Sequence, residues 1–250
     1  MKSATATICL LIAAGTVAHA ATNLVSIGVN FLDDTIQTPL APATVAGAVP
    51  QANWNNSTPT ATGAISNLTA DFNGGATPTA VSISWSGSPN TWASTGRGEE
   101  NNGFAPGGDR DLMTGYIDTN NASVTTVDVT GIPAPYATNG YDVYVYILGG
   151  VPGRGGQYTI GGITYQGDSV TNPNVHSQDL GVDHNDVGTY LLYSNVTGSS
   201  FSLVATPNFG SPPRAPVNGI QIVERPVIPE PAASAFAGLL AGLALWRRRR

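Results

Sequence analysis

Tyr141-Asp142-Val143-Tyr144-Val145-Tyr146-Ile147-Leu148 is the stretch whose reading decides the fold. β-branched and aromatic residues fill it, the types that fit a pleated, half-buried surface. It is apolar on both faces except at Asp142, which predicts the central strand of a sandwich.

Working outward, alternation dominates. Val25, Ile27 and Val29 alternate with Ser26, Gly28 and Asn30, and Val81, Ile83 and Trp85 alternate with Ser82, Ser84 and Ser86. Both read as strands with one wet face. Further strands are expected over 65–72, 112–118 and 123–129 before the central one. After it, 157–160 and 163–165 flank Gly161-Gly162, a two-residue hairpin signal because glycine accepts the positive φ such turns need. Segments 188–193, 201–206 and 217–223 complete the set. Long helical patterns are missing, so the expected fold is all-β, a two-sheet antiparallel sandwich of jelly-roll type over 21–225. Three stretches resist this pattern: Asp33 to Pro59, Ser86 to Gly108 and Val170 to Val187. They read as ordered surface loops at one end of the sandwich or as mobile segments.

The two ends carry targeting chemistry. Met1-Lys2, an apolar run from Ile8 to Val17 and Ala18-His19-Ala20 read as a signal peptide over 1–20, cut before Ala21. Its core holds Cys9, the chain's one cysteine, so no disulfide is expected in the body. At the other end, Pro229-Glu230-Pro231 precedes an apolar run over 232–246 and the cluster Arg247, Arg248, Arg249 and Arg250. As a helix those fifteen residues cover roughly 22 Å, against a hydrocarbon core of about 30 Å. That suits temporary membrane retention better than a lasting anchor, with the arginines on the cytoplasmic side. The three ordered parts of segment 226–250 resemble the PEP-CTERM sorting signal of bacterial surface proteins. The resemblance implies processing by an exosortase-type enzyme and delivery to the cell surface or extracellular matrix. Asn53-Trp54-Asn55-Asn56, Asp109 to Tyr116, Tyr141 to Tyr146 and Arg214 to Val223 resemble elements of exported domains that carry this tail. Those domains are similar in pattern to galactose-binding-like jelly rolls.

Without its ends the chain is strongly acidic. Arg97, Arg110, Arg154, Arg214 and Arg225 stand against fifteen carboxylates, a net charge near −10 with no lysine. Nucleic-acid binding, which rests on phosphate neutralisation, is therefore not expected.

Candidate sites are few. Asp179, Asp183 and Asp186, with His184, would supply oxygen ligands for calcium; the other reading is a solvated polar loop. Asp109 and Asp111 around Arg110 would form a second oxygen site; the preferred reading is that Arg110 pairs with either carboxylate at a loop-to-strand junction. Glu99 or Glu100 with an aspartate would be the carboxylate pair of a glycosidase, but adjacent glutamates in such a loop read first as solvated, and no Gly-x-Ser-x-Gly elbow occurs. No catalytic residue is expected. Trp54 among asparagines and Trp92 in a Gly/Ser/Asn-rich loop would serve as stacking platforms for sugar rings, or else cap the core. Two functions fit: a non-catalytic structural or adhesive surface protein, or a carbohydrate-binding module, with or without calcium, whose partner is extracellular polysaccharide.

Overall fold

The computed structural model describes residues 25–225. The signal peptide expected over 1–20 and the proline linker, apolar helix and arginine tail expected over 226–250 lie outside the described residues. The strands are β1 Val25–Asn30, β2 Asn55–Asn56, β3 Gly63–Ile65, β4 Thr69–Phe72, β5 Gly75–Pro78, β6 Ser82–Ser86 and β7 Asn90–Ala93. Helix α1 Gly108–Leu112, β8 Gly115–Asp118, β9 Thr125–Thr130, helix α2 Ala134–Asn139 and β10 Tyr141–Tyr146 follow. The chain then forms β11 Gly155–Ile160, β12 Ile163–Asp168, β13 Tyr190–Val196, β14 Ser200–Phe209 and β15 Gly219–Glu224.

Two large sheets make the sandwich. One has seven strands, in the order β13-β10-β15-β1-β4-β5 with β2 beside β1; the other has six, in the order β12-β11-β14-β9-β6-β3. Every pairing within them is antiparallel except that of β1 with β2. As its two apolar faces predict, β10 lies inside its sheet, between β13 and β15. The core between the sheets is built from inward residues of both: Ile27, Val143 and Ile222 from one, Ile83, Trp85, Val127 and Tyr158 from the other. Fully burying a side chain of this kind contributes about 1.5–3 kcal/mol. The Gly161-Gly162 hairpin forms as expected, with φ of 58° and 82°.

The outer faces differ. In β6, Ser84 and Ser86 are exposed while Ile83 and Trp85 are buried, so the alternation there marks a wet face. In β1 it does not: the strand is buried from Ser26 through Asn30. A second apolar cluster of Leu40, Ala46, Trp54, Phe104, Leu112, Met113, Tyr146 and Leu148 covers this side of the seven-stranded sheet. The polar outward residues anchor that cover. Asn30 Nδ2 donates to Asn56 Oδ1 at 3.0 Å, and Gln221 Nε2 donates to Val49 O at 2.6 Å and Gln51 Oε1 at 2.8 Å. Tyr146 Oη donates to Gln221 Oε1 at 2.7 Å. Much of Asp33 to Pro59 is thus a packed layer over a sheet face, in place of a loop at the sandwich end.

Other local expectations are corrected too. Asn67, at φ 56°, breaks the strand expected over 65–72 into β3 and β4, which join different sheets. Asparagine tolerates this left-handed conformation better than most residues. The strand expected over 112–118 begins as α1 and pairs only from Gly115. Within Ser86 to Gly108, β7 pairs with β8 in a separate two-stranded ribbon.

The strand ends also define two poles. Ser26 pairs with Val223 and Tyr141 with Glu224 at one; Asn30 and Tyr146 each pair with Gly219 at the other. The ribbon is fastened at the second pole, where Asn218 Nδ2 donates to Met113 O, Gly115 O and Leu148 O, and Val217 bridges to Ile117.

Candidate functional site

A cleft of about 170 Å³ at this second pole is lined by Asn90, Trp92, Glu99, Tyr116, Asp118, Arg154 and Arg214. Cross-strand register explains four of these. Asn90 faces Asp118 and Trp92 faces Tyr116, and residues two apart on a strand share a face. The opposite face of the ribbon carries Thr91, Ala93 and Ile117, all buried. The ribbon is therefore two-sided, its apolar side packed and its polar-aromatic side forming a cleft wall. Arg154 enters from the residue before β11, and Arg214 from the segment that leads into β15, where Ala215 N donates to Thr119 O at 3.1 Å.

Asp118 is 7% exposed, and its Oδ1 has no hydrogen-bond partner. Arg214 Nε lies 3.2 Å from that oxygen, an ion pair without hydrogen-bonding alignment. Arg154 Nε is also buried and unpartnered, while Arg154 Nη1 is 3.8 Å from Glu99 Oε1. Of the three such orphaned atoms among the described residues, two thus belong to residues lining this cleft. Leaving a buried polar group unmade costs about 1–3 kcal/mol, so the wall of this cleft carries two groups that the protein itself does not satisfy. Burial raises the Asp118 carboxyl above its ordinary range, with Arg214 opposing and Glu99 adding to the shift. Burial likewise raises the Tyr116 hydroxyl.

Trp92 is a half-buried wall, and the Arg97 guanidinium stacks on its ring 3.8 Å from the centroid. Arg97 is held from behind by Asp34 at 2.5 Å. Three of the five described arginines, Arg97, Arg154 and Arg214, therefore gather around one cleft. Glu99 lies against Gly150: a Cβ built there would come within 1.9 Å of Glu99 Oε2.

A larger depression of about 360 Å³, lined by Gln37, Thr95, Glu100, Arg110 and Asp111 among others, is chemically quieter. Glu100 accepts from Thr95 Oγ1 and from Gly96 N, and Arg110 Nη1 donates to Asn102 O at 2.8 Å and Phe104 O at 3.0 Å. Arg110 thereby holds backbone carbonyls instead of the expected aspartate, and Asp109 instead meets His176 Nε2 at 3.1 Å.

The other expected positions separate. Trp54 is 5% exposed, its Nε1 donating to Gln51 O at 3.1 Å and Ala46 O at 3.3 Å, so it is a core side chain of the covering layer and offers no stacking face. Asp179, Asp183 and Asp186 do not converge; among the described residues no group of three or more His, Cys, Asp or Glu is placed to share an ion. Asp179 is buried, with Oδ2 accepting from Asp168 N and Oδ1 from Gly181 N, while Asp183 is exposed and accepts from Asn185 N. His184 Nδ1 pairs with Asp168 Oδ2 at 2.7 Å and its ring stacks on Phe209.

Of the cleft, sequence reasoning singled out Trp92 and touched Glu99; it missed Tyr116, Asp118, Arg154 and Arg214. The scarcity of cations in the body was the available signal, but nothing in linear spacing brings residues 92, 118, 154 and 214 together. Neither a protein-family model, a curated protein nor a solved structure matches the chain.

Proposed function

We propose that this chain is an exported, non-catalytic adhesive β-sandwich of the cell surface or extracellular matrix, and that it holds extracellular polysaccharide in the Trp92 cleft. One observation carries the reading: a half-exposed indole, Trp92, and the polar side chains of Asn90, Glu99, Asp118, Arg154 and Arg214 line one cleft. Sugar recognition combines those elements, an aromatic wall for the ring and fixed polar groups for its hydroxyls. At about 170 Å³ the cleft is below the roughly 300–1,000 Å³ of a drug-sized pocket. It suits one sugar residue of a longer chain.

Export and sorting rest on the ends: a signal peptide over 1–20, and the PEP-CTERM-like segment with Pro229, Glu230, Pro231 and the terminal arginines as the substrate of an exosortase-type enzyme. Repeated crossing from sheet to sheet, β9 to β10 to β11 and β12 to β13 to β14 to β15, supports a jelly-roll type of connection. A glycan array probed with the protein tests the ligand reading, with and without chelator. Saturable binding lost in Trp92→Ala but kept in chelator is expected; no saturable binding to any glycan overturns it. Deleting 226–250 and assaying cell-surface protein tests the address, and unchanged retention there would refute it.

A further inference from the structure

On the reading that the Trp92 cleft holds a saccharide, affinity depends on walls that are fixed before the ligand arrives. We infer that Arg97 is the positioning residue of this site: lying outside the cleft, it backs the Trp92 indole with its guanidinium and ties down the short loop that brings Glu99 to the cleft wall.

The loop is closed at its base. Thr95 and Glu100 form an antiparallel bridge, and the Glu100 carboxylate accepts from Thr95 Oγ1 and, at 3.0 Å, from Gly96 N. Gly96 and Gly98 have φ of 81° and 88°, so the chain turns on both sides of Arg97 and leaves it at the tip. Three partners then hold its guanidinium. The carbon lies 3.8 Å from the Trp92 ring centroid, and Nη1 is 2.5 Å from Asp34 Oδ1 and 3.6 Å from Asp33 Oδ2. Asp33 is itself fixed, its fully buried carboxylate accepting from the backbone N–H groups of Thr35, Ile36 and Gln37. The clamp thus joins a rigid turn to the loop tip and to the indole.

An indole has two faces, and a guanidinium 3.8 Å above one of them leaves no room there for a sugar ring. If that were the cleft face, Arg97 would itself line the cleft, and it does not. Arg97 therefore covers the back of Trp92, and the face turned to the cleft stays free. Stacking on a ring while pairing with two carboxylates needs a flat cation with several N–H donors, a geometry that lysine lacks. Two residues beyond Arg97, Glu99 lines the cleft with its Oε1 3.8 Å from Arg154 Nη1. One clamp therefore sets two parts of the wall. Side chains frozen in advance spare the complex the entropy of ordering them, roughly two- to ten-fold in affinity for each.

The experiment measures sugar affinity and indole mobility on the same full chain. Calorimetric titration with β-glucan, galactan and mannan fragments compares wild type, Arg97→Ala and Arg97→Lys. Fluorine NMR of protein labelled with 5-fluorotryptophan reports the ring, the Trp92 signal being the one lost in Trp92→Phe. In Arg97→Ala, affinity is expected to fall by about three- to ten-fold for every sugar that binds, with their order unchanged, while the Trp92 signal shifts and sharpens. Asp33 keeps its backbone donors in both variants, which favours a persisting fold. Should Arg97→Ala nonetheless fail to fold, Arg97→Lys must show the same changes in part, because an ammonium keeps the charge and loses the plane. Unchanged affinity, tighter binding or a changed order of sugars in Arg97→Ala overturns the inference and leaves the saccharide reading standing. So does full recovery of affinity in Arg97→Lys, or a Trp92 signal that does not move. Absence of binding of every oligosaccharide to the wild-type protein overturns the saccharide reading and this inference with it.

Discussion

The Trp54 indole lies directly on the backbone of Gly28, where a Cβ would come within 2.5 Å of ring atom Cε3. A side chain at 28 would push the covering layer off the sheet. Gly28→Ala is expected to destabilise the fold by about 1–3 kcal/mol through overpacking, and Trp54→Ala by about 3–5 kcal/mol through the cavity it leaves. Urea unfolding checks both. Saccharide affinity in Trp54→Ala should stay near wild type, whereas Trp92→Ala should lose affinity with a much smaller loss of stability.

Asn218 is the fastening point of the cleft ribbon. Fully buried, it also accepts from Leu148 N at 2.6 Å, in addition to its three donated bonds. Asn218→Leu would leave Leu148 N unpaired and take the amide donor from Met113 O, Gly115 O and Leu148 O, of which Met113 O keeps Ser94 Oγ, at about 1–3 kcal/mol for each group left unpaired. A total loss above about 3 kcal/mol in denaturant unfolding is expected; a loss below 1 kcal/mol would show that these bonds do not hold the ribbon.

Asp179 predicts a pH dependence. Burial raises its carboxyl to about 6, helped by the charges of Asp168 and Asp186 and opposed by the amides of Asp168 and Gly181. A folded-state value above the unfolded one near 3.9 means that the native state holds its proton more tightly. The stability it contributes is present below about pH 4 and lost as pH rises through about 6, on the order of 2–3 kcal/mol in all. Thermal unfolding between pH 4 and 7 should therefore show a decline with pH that is smaller in Asp179→Asn. An identical slope in the variant would rule this carboxyl out as its source.

Gly150 is closed off by Glu99. A methyl group there would meet Glu99 Cβ at 2.7 Å as well as its carboxylate, so the Glu99 backbone has to shift along with the side-chain end. Gly150→Ala is expected to lower saccharide affinity severalfold and to cost about 1–3 kcal/mol of stability through overpacking, as read by calorimetry and urea titration.

How much was legible follows the physics of each signal. Period-two alternation is a local property, so β1, β6, β10 and the Gly161-Gly162 hairpin could be read directly from residue order. What lies over a sheet face is not local. Ser26, Gly28 and Asn30 look like a wet face because polar and small residues serve equally to meet water or to receive a covering layer. Trp54 among asparagines reads as exposed for the same reason, although Asn55 and Asn56 spend their amides on Gly28 O, Thr69 O and Leu40 O. Asp118 sits in a stretch legible as a strand, but its pairing with β7 and its closeness to Arg154 and Arg214 arise only on folding.

The placement of the strand ends has a consequence for how the molecule would work on a surface. Val25 and Glu224 lie together at one pole, and the cleft lies at the other, a β-strand of six residues away, or roughly 20 Å. A tether drawn from either end of the described chain would hold the sandwich upright with its cleft facing outward. Neighbouring copies anchored side by side would then present a carpet of one-residue grips, each weak alone, to the same polymer. Adhesion would come from their number, and release from shearing them one at a time.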